Sequence, residues 1–165
     1  MIRPLQPEDC DELAALYLAN RDFLAPFEPT RPPEFFTGHG QRERLKRQLE
    51  GETHPFAIFD NDAIAGTINL FNIVRESLQS GTIGYWIDRA RNGRGLATGA
   101  VGEIVGYAFG GLQLHRVEAA TLVDNLSSQR VLEKNGFERI GLARRFLRID
   151  DEWRDFFLFQ RLADD

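Results

Sequence analysis

A glycine-rich turn between an extended segment and a helical one is the feature that most constrains the fold of this chain. The turn reads Arg-Asn-Gly-Arg-Gly-Leu-Ala-Thr over residues 91–98, directly after a partly alternating apolar run over residues 82–88. After the turn, apolar residues recur with helical spacing up to Ala108. Gly93 and Gly95 therefore lie where a strand is predicted to turn into a helix.

This turn has two interpretations. The first backbone N–H groups of a helix have no intrahelical acceptor and lie at the positive end of the helix dipole, so they can bind a phosphate or pyrophosphate. Glycine in the turn lets the backbone approach such a ligand closely. A glycine-rich strand-to-helix turn is about as often plain turn chemistry, and this segment alone leaves both interpretations open.

Length and charge restrict the class of protein. The 165 residues are expected to form one domain over residues 1–165, with a formal net charge of −5. The sequence shows no apolar run of about 18 residues and no leader before Ile2, which predicts no membrane span, no signal peptide and a cytoplasmic protein. The acidic balance disfavours a nucleic-acid surface and is compatible with a basic peptide substrate. The single cysteine, Cys10, is expected to be structural, and no cluster of residues has metal-ligand spacing.

Periodicity predicts a mixed α/β domain. Strand-like patterns occupy residues 2–5, 55–59, 63–73, 82–88, 115–123, 137–147 and 153–162. Helical patterns begin near Pro7 and cover residues 41–50, the segment that ends at Gly110, and residues 126–135. Four prolines and many aromatic residues over residues 23–40 exclude a continuous helix there and predict a loop that packs on the protein.

A stripe of glycines follows the long helix at Gly99, Gly102, Gly106 and Gly110. Each glycine inside a helix costs about 0.5–1 kcal/mol relative to alanine. Either another backbone packs closely on this face, within the fold or across a dimer, or the face is exposed and the chain tolerates the cost.

A second polar cluster covers residues 124–137 and reads Asp-Asn-Leu-Ser-Ser-Gln-Arg-Val-Leu-Glu-Lys-Asn-Gly-Phe. Local structure alone explains it, since Asp124 or Asn125 can cap a helix and Gly136 can end it. Ser128 then lies in the first turn of that helix.

Together the two clusters resemble the GNAT superfamily of acetyl-CoA-dependent N-acyltransferases, and within it the RimJ/RimL-type ribosomal-protein alanine N-acetyltransferases. Three further segments carry the resemblance nearly end to end, namely residues 20–31, 115–119 and 152–155. The resemblance implies a mixed, mostly antiparallel central sheet flanked by helices, with strands splayed at the acetyl-CoA site.

The resemblance also implies where acetyl-CoA binds. The pyrophosphate would contact backbone N–H groups of Arg94, Gly95, Leu96, Ala97 and Thr98, beside Asn92 and Gly93. The pantetheine arm would lie along Trp86, Ile87 and Asp88 and would contact Asn125. Asn92 departs from the family, which has Gln or Arg at that place, so Arg91 or Arg94 would have to reach the phosphates instead. No metal is implied.

The chemistry requires an acid and a base. An amine attacks a thioester only when it is neutral, so a carboxylate or a water held by one must take its proton. By resemblance Ser128 is the candidate hydrogen-bond donor to the leaving sulfur. Some relatives use a glutamate on the strand after the second helix, but residues 144–148 of that strand contain no acid, which leaves Glu28, Glu118 and Asp155 as candidate bases, although a buried salt bridge explains each equally well. His115, the basic residues between Arg42 and Arg47, and Trp153 are expected to be structural, the basic run as a solvated helix face and Trp153 as core and rim packing.

Three functions are compatible with these residues. The first is acetylation of a protein N-terminal α-amine, by resemblance that of a ribosomal protein, by direct attack on the thioester. The second keeps the enzyme but uses a small-molecule amine as the acceptor. The third, of another class, is a non-catalytic acyl-CoA-binding sensor. The expected assembly is a monomer or a homodimer, without nucleic acid or membrane partners.

Overall fold

The computed structural model describes residues 1–164 of the chain. The strands in this part are β1 (Ile2–Pro4), β2 (His54–Asp60), β3 (Ala63–Val74), β4 (Ser80–Ile87), β5 (Arg116–Leu122), β6 (Glu138–Ile149) and β7 (Glu152–Leu162). The α-helices are α1 (Cys10–Ala19), α2 (Arg21–Leu24), α3 (Gly38–Glu50), α4 (Leu96–Gly106) and α5 (Leu126–Lys134). The strands form a seven-stranded sheet in the order β1-β2-β3-β4-β5-β7-β6.

The sheet opens between β4 and β5. These two strands are parallel, whereas the other neighbouring pairs are antiparallel. Their pairing covers only Ser80↔Arg116, Gly81↔Val117 and Thr82↔Glu118, although β4 continues to Ile87 and β5 to Leu122. The far ends of the two strands therefore separate, which confirms the predicted mixed, mostly antiparallel sheet with a splayed pair of strands.

Each face of the sheet carries its own hydrophobic core. One core joins the sheet to α4 and α5 and includes Ile104 and Leu132. The other joins it to α1 and α3 and includes Tyr17. The two cores meet at β4, where Ile87 belongs to the first and Trp86 to the second, because successive side chains of a strand point to opposite faces.

The proline-rich segment, residues 23–40, packs on the protein, as predicted. It contains the short helix α2 and a 3-10 turn over Pro33–Phe36, and both Leu24 and Phe35 are buried. Helix α3 begins three residues earlier than predicted, because the side chain of Thr37 caps it by accepting a hydrogen bond from the Gly40 N–H.

Two apolar residues are exposed, and one of them, Trp153, was predicted to pack. Leu49 is 58% exposed near the end of α3, although Leu45 on the same helix is buried. Trp153 is 60% exposed and pairs with Arg148 of β6. Because β6 is the edge strand and is exposed along almost its whole length, this end of the β6–β7 hairpin has no layer packed over it.

The glycine stripe lies on an open face of α4. A Cβ atom added at Gly99, Gly106 or Gly110 would meet no other atom within 4 Å, and one added at Gly102 would meet only the side-chain oxygen of Asn135, at 3.2 Å. Packing of another backbone within residues 1–164 is therefore wrong for those three positions, which leaves the exposed face and the dimer as interpretations of the stripe.

We expect Gly106→Ala to raise the free energy of unfolding by about 0.5–1 kcal/mol, because Gly106 has helical φ and ψ and open space around it. Urea denaturation of both proteins measures this difference. Gly93→Ala is the matched control: its φ of 78° is left-handed, so alanine there should lower stability by about 1 kcal/mol. Destabilisation by Gly106→Ala would show that another molecule packs on this face.

Candidate active site

A groove of about 760 Å³ occupies the opening between β4 and β5. The ends of both strands, the turn over residues 91–98 and helix α5 form one part of its wall. The proline-rich segment, α1 and α3 form the other part, on the opposite face of the sheet. The groove therefore connects the glycine-rich turn at one end with the proline-rich segment at the other.

Most of the predicted cofactor-binding residues line this groove. They are Trp86, Ile87, Asn92, Gly93, Gly95, Leu96, Ala97, Thr98, Asn125 and Ser128. Four of the predicted site residues, Asp88, Arg94, Glu118 and Asp155, are not part of its lining.

Asp88 and Arg94 make structural contacts instead. The Asp88 carboxylate accepts hydrogen bonds from the Asn20 side chain (3.1 Å) and from Arg91 (3.0 Å). The Arg94 guanidinium donates to Asp60 at 2.7 Å, and Arg91 lies 3.4 Å from the same carboxylate. Both guanidinium groups thus have carboxylate partners within the protein, and of the two only Arg91 also lines the groove.

The turn has the geometry of an anion site. Gly93 and Gly95 both have a φ of 78°, and an added Cβ would meet no atom at either position, so the left-handed backbone is what favours glycine there. Helix α4 begins at Leu96, and the N–H groups of Leu96, Ala97 and Thr98 in its first turn have no intrahelical acceptor. These residues line the groove, so it receives the positive end of the helix dipole.

Arg130 and Lys134 add positive charge at this end of the groove. Both are exposed on α5, both line the groove, and neither forms an ion pair within residues 1–164. The sequence analysis missed them, although their spacing of four residues, which places two side chains on one helix face, was a usable signal.

Ser128 is paired with a residue that the sequence analysis missed. The hydroxyl groups of Ser128 and Tyr85 lie 2.8 Å apart, and the Tyr85 hydroxyl is also 3.3 Å from the Ser128 carbonyl oxygen. Burial raises the pKa of Tyr85 to about 12, so its phenol is protonated at neutral pH. The Ser128 carbonyl oxygen can only accept, whereas either oxygen of the hydroxyl pair can be the donor, so the Tyr85 proton goes to one of the two Ser128 oxygens. Asn125 caps α5 by accepting a hydrogen bond from the Ser128 N–H at 3.2 Å.

Glu28 is the one carboxylate among the described residues that line the groove. Burial raises its pKa, although the nearby Arg31 and Arg44 oppose that shift. Glu118 instead stands at the last pair of β4 and β5, opposite Thr82 and outside the groove lining. Asp155 also lies outside it and accepts a hydrogen bond from the Arg145 N–H at 2.8 Å, which holds the irregular part of the β6–β7 hairpin.

The end of the groove that is formed by the proline-rich segment, α1 and α3 contains polar groups. The Tyr17 hydroxyl oxygen accepts hydrogen bonds from Trp86 Nε1 (3.0 Å) and from Arg44 (3.3 Å). Both partners can only donate, so the Tyr17 proton is free to donate elsewhere. Thr67, which is 2% exposed, also lines the groove, and its hydroxyl has no hydrogen-bond partner within residues 1–164.

Two expectations about single residues have clear outcomes. Arg44 is half-buried and lines the groove, so the prediction that the basic run of α3 is only a solvated face is wrong for this residue. Cys10 is fully buried, and burial raises the pKa of its thiol, which fits the structural role expected for it.

Within residues 1–164, no helix has the length and apolar character needed to cross a membrane. The same part of the chain contains no group of three or more His, Cys, Asp or Glu side chains placed to hold a metal ion.

Comparison with known proteins gives a consistent result. The acetyltransferase (GNAT) domain family matches residues 1–138. A probable N-acetyltransferase of Bacillus subtilis (strain 168), YjcK, is 42% identical over 160 residues, which cover 93% of this chain and 88% of that protein. The [ribosomal protein uS5]-alanine N-acetyltransferase of Escherichia coli (strain K12) is 33% identical over 164 residues, 96% of this chain and 84% of its own length. The structure of Mycobacterium smegmatis RimJ in complex with CoA-disulfide superposes with a TM-score of 0.93 at 29% identity, covering 99% of this chain and 81% of that one.

Proposed function

The chain belongs to the GNAT acetyltransferase family, and from this premise we propose that it transfers the acetyl group of acetyl-CoA to the N-terminal α-amine of a protein. The observation that carries the proposal is the continuous groove, which joins an anion-binding turn, the Tyr85–Ser128 pair and the Glu28 carboxylate. We further propose that the acetyltransferase domain extends over residues 1–165, beyond the matched residues 1–138.

The end of the groove at the turn over residues 91–98, which we call the donor end, fits acetyl-CoA. The first-turn N–H groups of Leu96, Ala97 and Thr98 would hold the pyrophosphate, with Arg130 and Lys134 close to the phosphates. The unpaired end of β4 offers backbone groups to the pantetheine arm, since β5 does not pair with it beyond Thr82. The same backbone would polarise the thioester carbonyl and stabilise the oxyanion that forms on it.

We assign the proton transfers to Glu28 and Ser128. Glu28 takes a proton from the acceptor ammonium, directly or through a water, and frees the nitrogen lone pair. The amine nitrogen then forms a bond to the carbonyl carbon, the carbon–sulfur bond breaks, and the sulfur leaves with the electron pair. The nitrogen gives up its second proton, which passes to the thiolate through water and leaves a neutral amide and the thiol of CoA. Ser128 donates a hydrogen bond to that sulfur, and Tyr85 orients the Ser128 hydroxyl.

The other end of the groove, beside Glu28 and the proline-rich segment, is the acceptor end. Its charges favour a peptide over a polyamine as the acceptor. Among the side chains that line the groove there, Glu28 is accompanied by two guanidinium groups, Arg31 and Arg44, so this part of the lining is net positive, while Arg21, Asp22 and Asp150 line the adjoining pocket. A polyamine carries further positive charges along its length, which two arginines would repel. A peptide N-terminus carries one, followed by carbonyl oxygens that can accept from the Tyr17 hydroxyl. The E. coli relative acts on an alanine of ribosomal protein uS5, so Ala-starting ribosomal peptides are the first acceptors to test, and such an acceptor would place the reaction in the cytoplasm.

Free-thiol release from acetyl-CoA tests the proposal against a panel of Ala- and Ser-starting peptides, polyamines and amino acids. Release that depends on a peptide with a free N-terminus, and not on its N-acetylated form, would support it. Release with small amines only would favour the small-molecule enzyme. Saturable acetyl-CoA binding without turnover on any amine would favour the sensor.

We expect the substitutions Arg130→Gln and Lys134→Gln to weaken acetyl-CoA binding by roughly 2- to 5-fold each, since an exposed charge contact contributes about 0.2–1 kcal/mol. Isothermal titration calorimetry measures both constants, and the loss should shrink as salt is added, because exposed charges are screened. Lys46→Gln is the matched control, as Lys46 lies on α3 outside the groove. Equal Kd values for all four proteins would place the phosphates elsewhere.

A further inference from the structure

Two arginines from different elements meet at the acceptor end of the groove. Arg31 belongs to the proline-rich segment and Arg44 to α3, and both line the groove. Their guanidinium carbons lie 4.9 Å and 5.3 Å from the centre of the same Phe35 ring. Phe35 is buried, so it holds both cations in place beside Glu28.

The positive charge of this pair is only partly offset. The Arg31 Nε atom lies 4.0 Å from the nearer Glu28 oxygen, which is beyond hydrogen-bond distance. That Nε atom is buried and has no hydrogen-bond partner within residues 1–164. Within residues 1–164, Arg44 donates only to the neutral hydroxyl of Tyr17, at 3.3 Å. Two further carboxylates, Asp22 and Asp150, line an adjoining pocket, but neither forms an ion pair with Arg31 or Arg44.

One carboxylate thus faces two guanidinium groups, and it is also the group proposed to remove the proton of the amine. A second anion would complete the charge balance of this end of the groove. The guanidinium fork matches a carboxylate, because it can donate two parallel hydrogen bonds to the two oxygen atoms.

We propose that Arg31 and Arg44 form a carboxylate subsite, so that the enzyme prefers acceptors with a carboxylate close to the reacting amine. The inference rests on the proposed function and deepens it: the preferred substrate is a protein N-terminus with an acidic side chain within its first few residues. The α-carboxylate of a free amino acid has the same chemistry and is the other source to be tested.

The test compares kcat/KM for pairs of Ala-starting hexapeptides that differ only by Glu against Gln at position 2, 3 or 4. For at least one position we expect the Glu peptide to be the better substrate by about 10-fold, as charge-assisted hydrogen bonds contribute more than neutral ones. In R31Q this Glu/Gln ratio should fall toward 1, because the KM for the Glu peptide rises more than the KM for the Gln peptide. R31K should restore part of the ratio, because lysine keeps the charge and loses the fork.

Two further variants protect the test from a folding artefact. R44Q removes the second cation from a different element and should also lower the ratio. R42Q on the same helix should leave the ratio unchanged, because Arg42 pairs with Asp11 outside the groove. Each variant should keep the acetyl-CoA affinity of the wild type, which shows that it is folded.

The outcomes separate the subsite from the function. Acetylation of Glu and Gln peptides at equal rates, or a preference that survives in both R31Q and R44Q, would overturn the subsite while the N-terminal acetyltransferase stands. A higher rate with alanine than with alaninamide and all peptides would support carboxylate recognition and contradict the peptide acceptor. If none of the peptides is acetylated, both the proposed function and the carboxylate subsite are overturned.

Discussion

Glu28→Gln should lower kcat/KM by about 10²- to 10⁴-fold, the range usual for a positioned general base, while acetyl-CoA affinity stays the same. Glu28 is the carboxylate that lines the groove within the described residues, and glutamine keeps its size but cannot take a proton. Steady-state kinetics with an accepted peptide and calorimetry with acetyl-CoA measure the two quantities.

The pH profile distinguishes a base from a structural carboxylate. Burial raises the pKa of Glu28, and only the ionised form accepts a proton, so wild-type kcat/KM should fall as pH falls through that raised pKa. Glu28→Gln should lose this part of the profile and keep the part that reports deprotonation of the acceptor amine. Because the folded pKa lies above the unfolded one, ionised Glu28 contributes no stability at neutral pH, and the variant should remain folded.

Glu118→Gln tests the alternative assignment of the base. Glu118 lies outside the groove lining, opposite Thr82, and we expect its variant to keep its activity. If kcat/KM falls by about 10²- to 10⁴-fold in Glu118→Gln and not in Glu28→Gln, Glu118 is the base instead.

Ser128→Ala should lower kcat by about 10²- to 10³-fold, because the leaving sulfur loses a hydrogen-bond donor that acts as charge develops on it. The effect should shrink with acyl donors whose thiols are more acidic, since their thiolates need less stabilisation. Rapid-mixing or steady-state thiol release measures both dependences, and the KM for acetyl-CoA should change little.

Two neighbouring variants give the matched controls for Ser128→Ala. Tyr85→Phe removes the hydroxyl 2.8 Å from Ser128 and should cost less, about 10-fold, since it orients the donor without being the donor. Ser127→Ala should cost much less than Ser128→Ala, because Ser127 also lines the groove but its exposed hydroxyl forms no hydrogen bond within residues 1–164. Equal kcat for Ser128→Ala and the wild type at every donor acidity would exclude Ser128 as the donor to sulfur.

Much of the donor end could be predicted from local sequence. Glycine at positions 93 and 95 adopts a positive φ, and Gly136 does the same after α5. Such conformations depend on a residue and its immediate neighbours, so the strand–turn–helix unit and the end of α5 were predictable. Which of the candidate bases lines the groove was not predictable, because the burial and charge around Glu28 depend on α3, which is distant in sequence.

The sequence by itself determined the elements, the splayed sheet through its family resemblance, and the groove-lining turn, because glycine conformations, helix caps and apolar periodicity act over a few residues. Only the tertiary structure decided which side chains meet. Tyr85 reaches Ser128 across 43 residues, and Arg31 and Arg44 share the ring of Phe35. These contacts follow from strand register and from the packing of α3 and the proline-rich segment on the sheet, and a shift of one residue along a strand would turn its side chains to the other face.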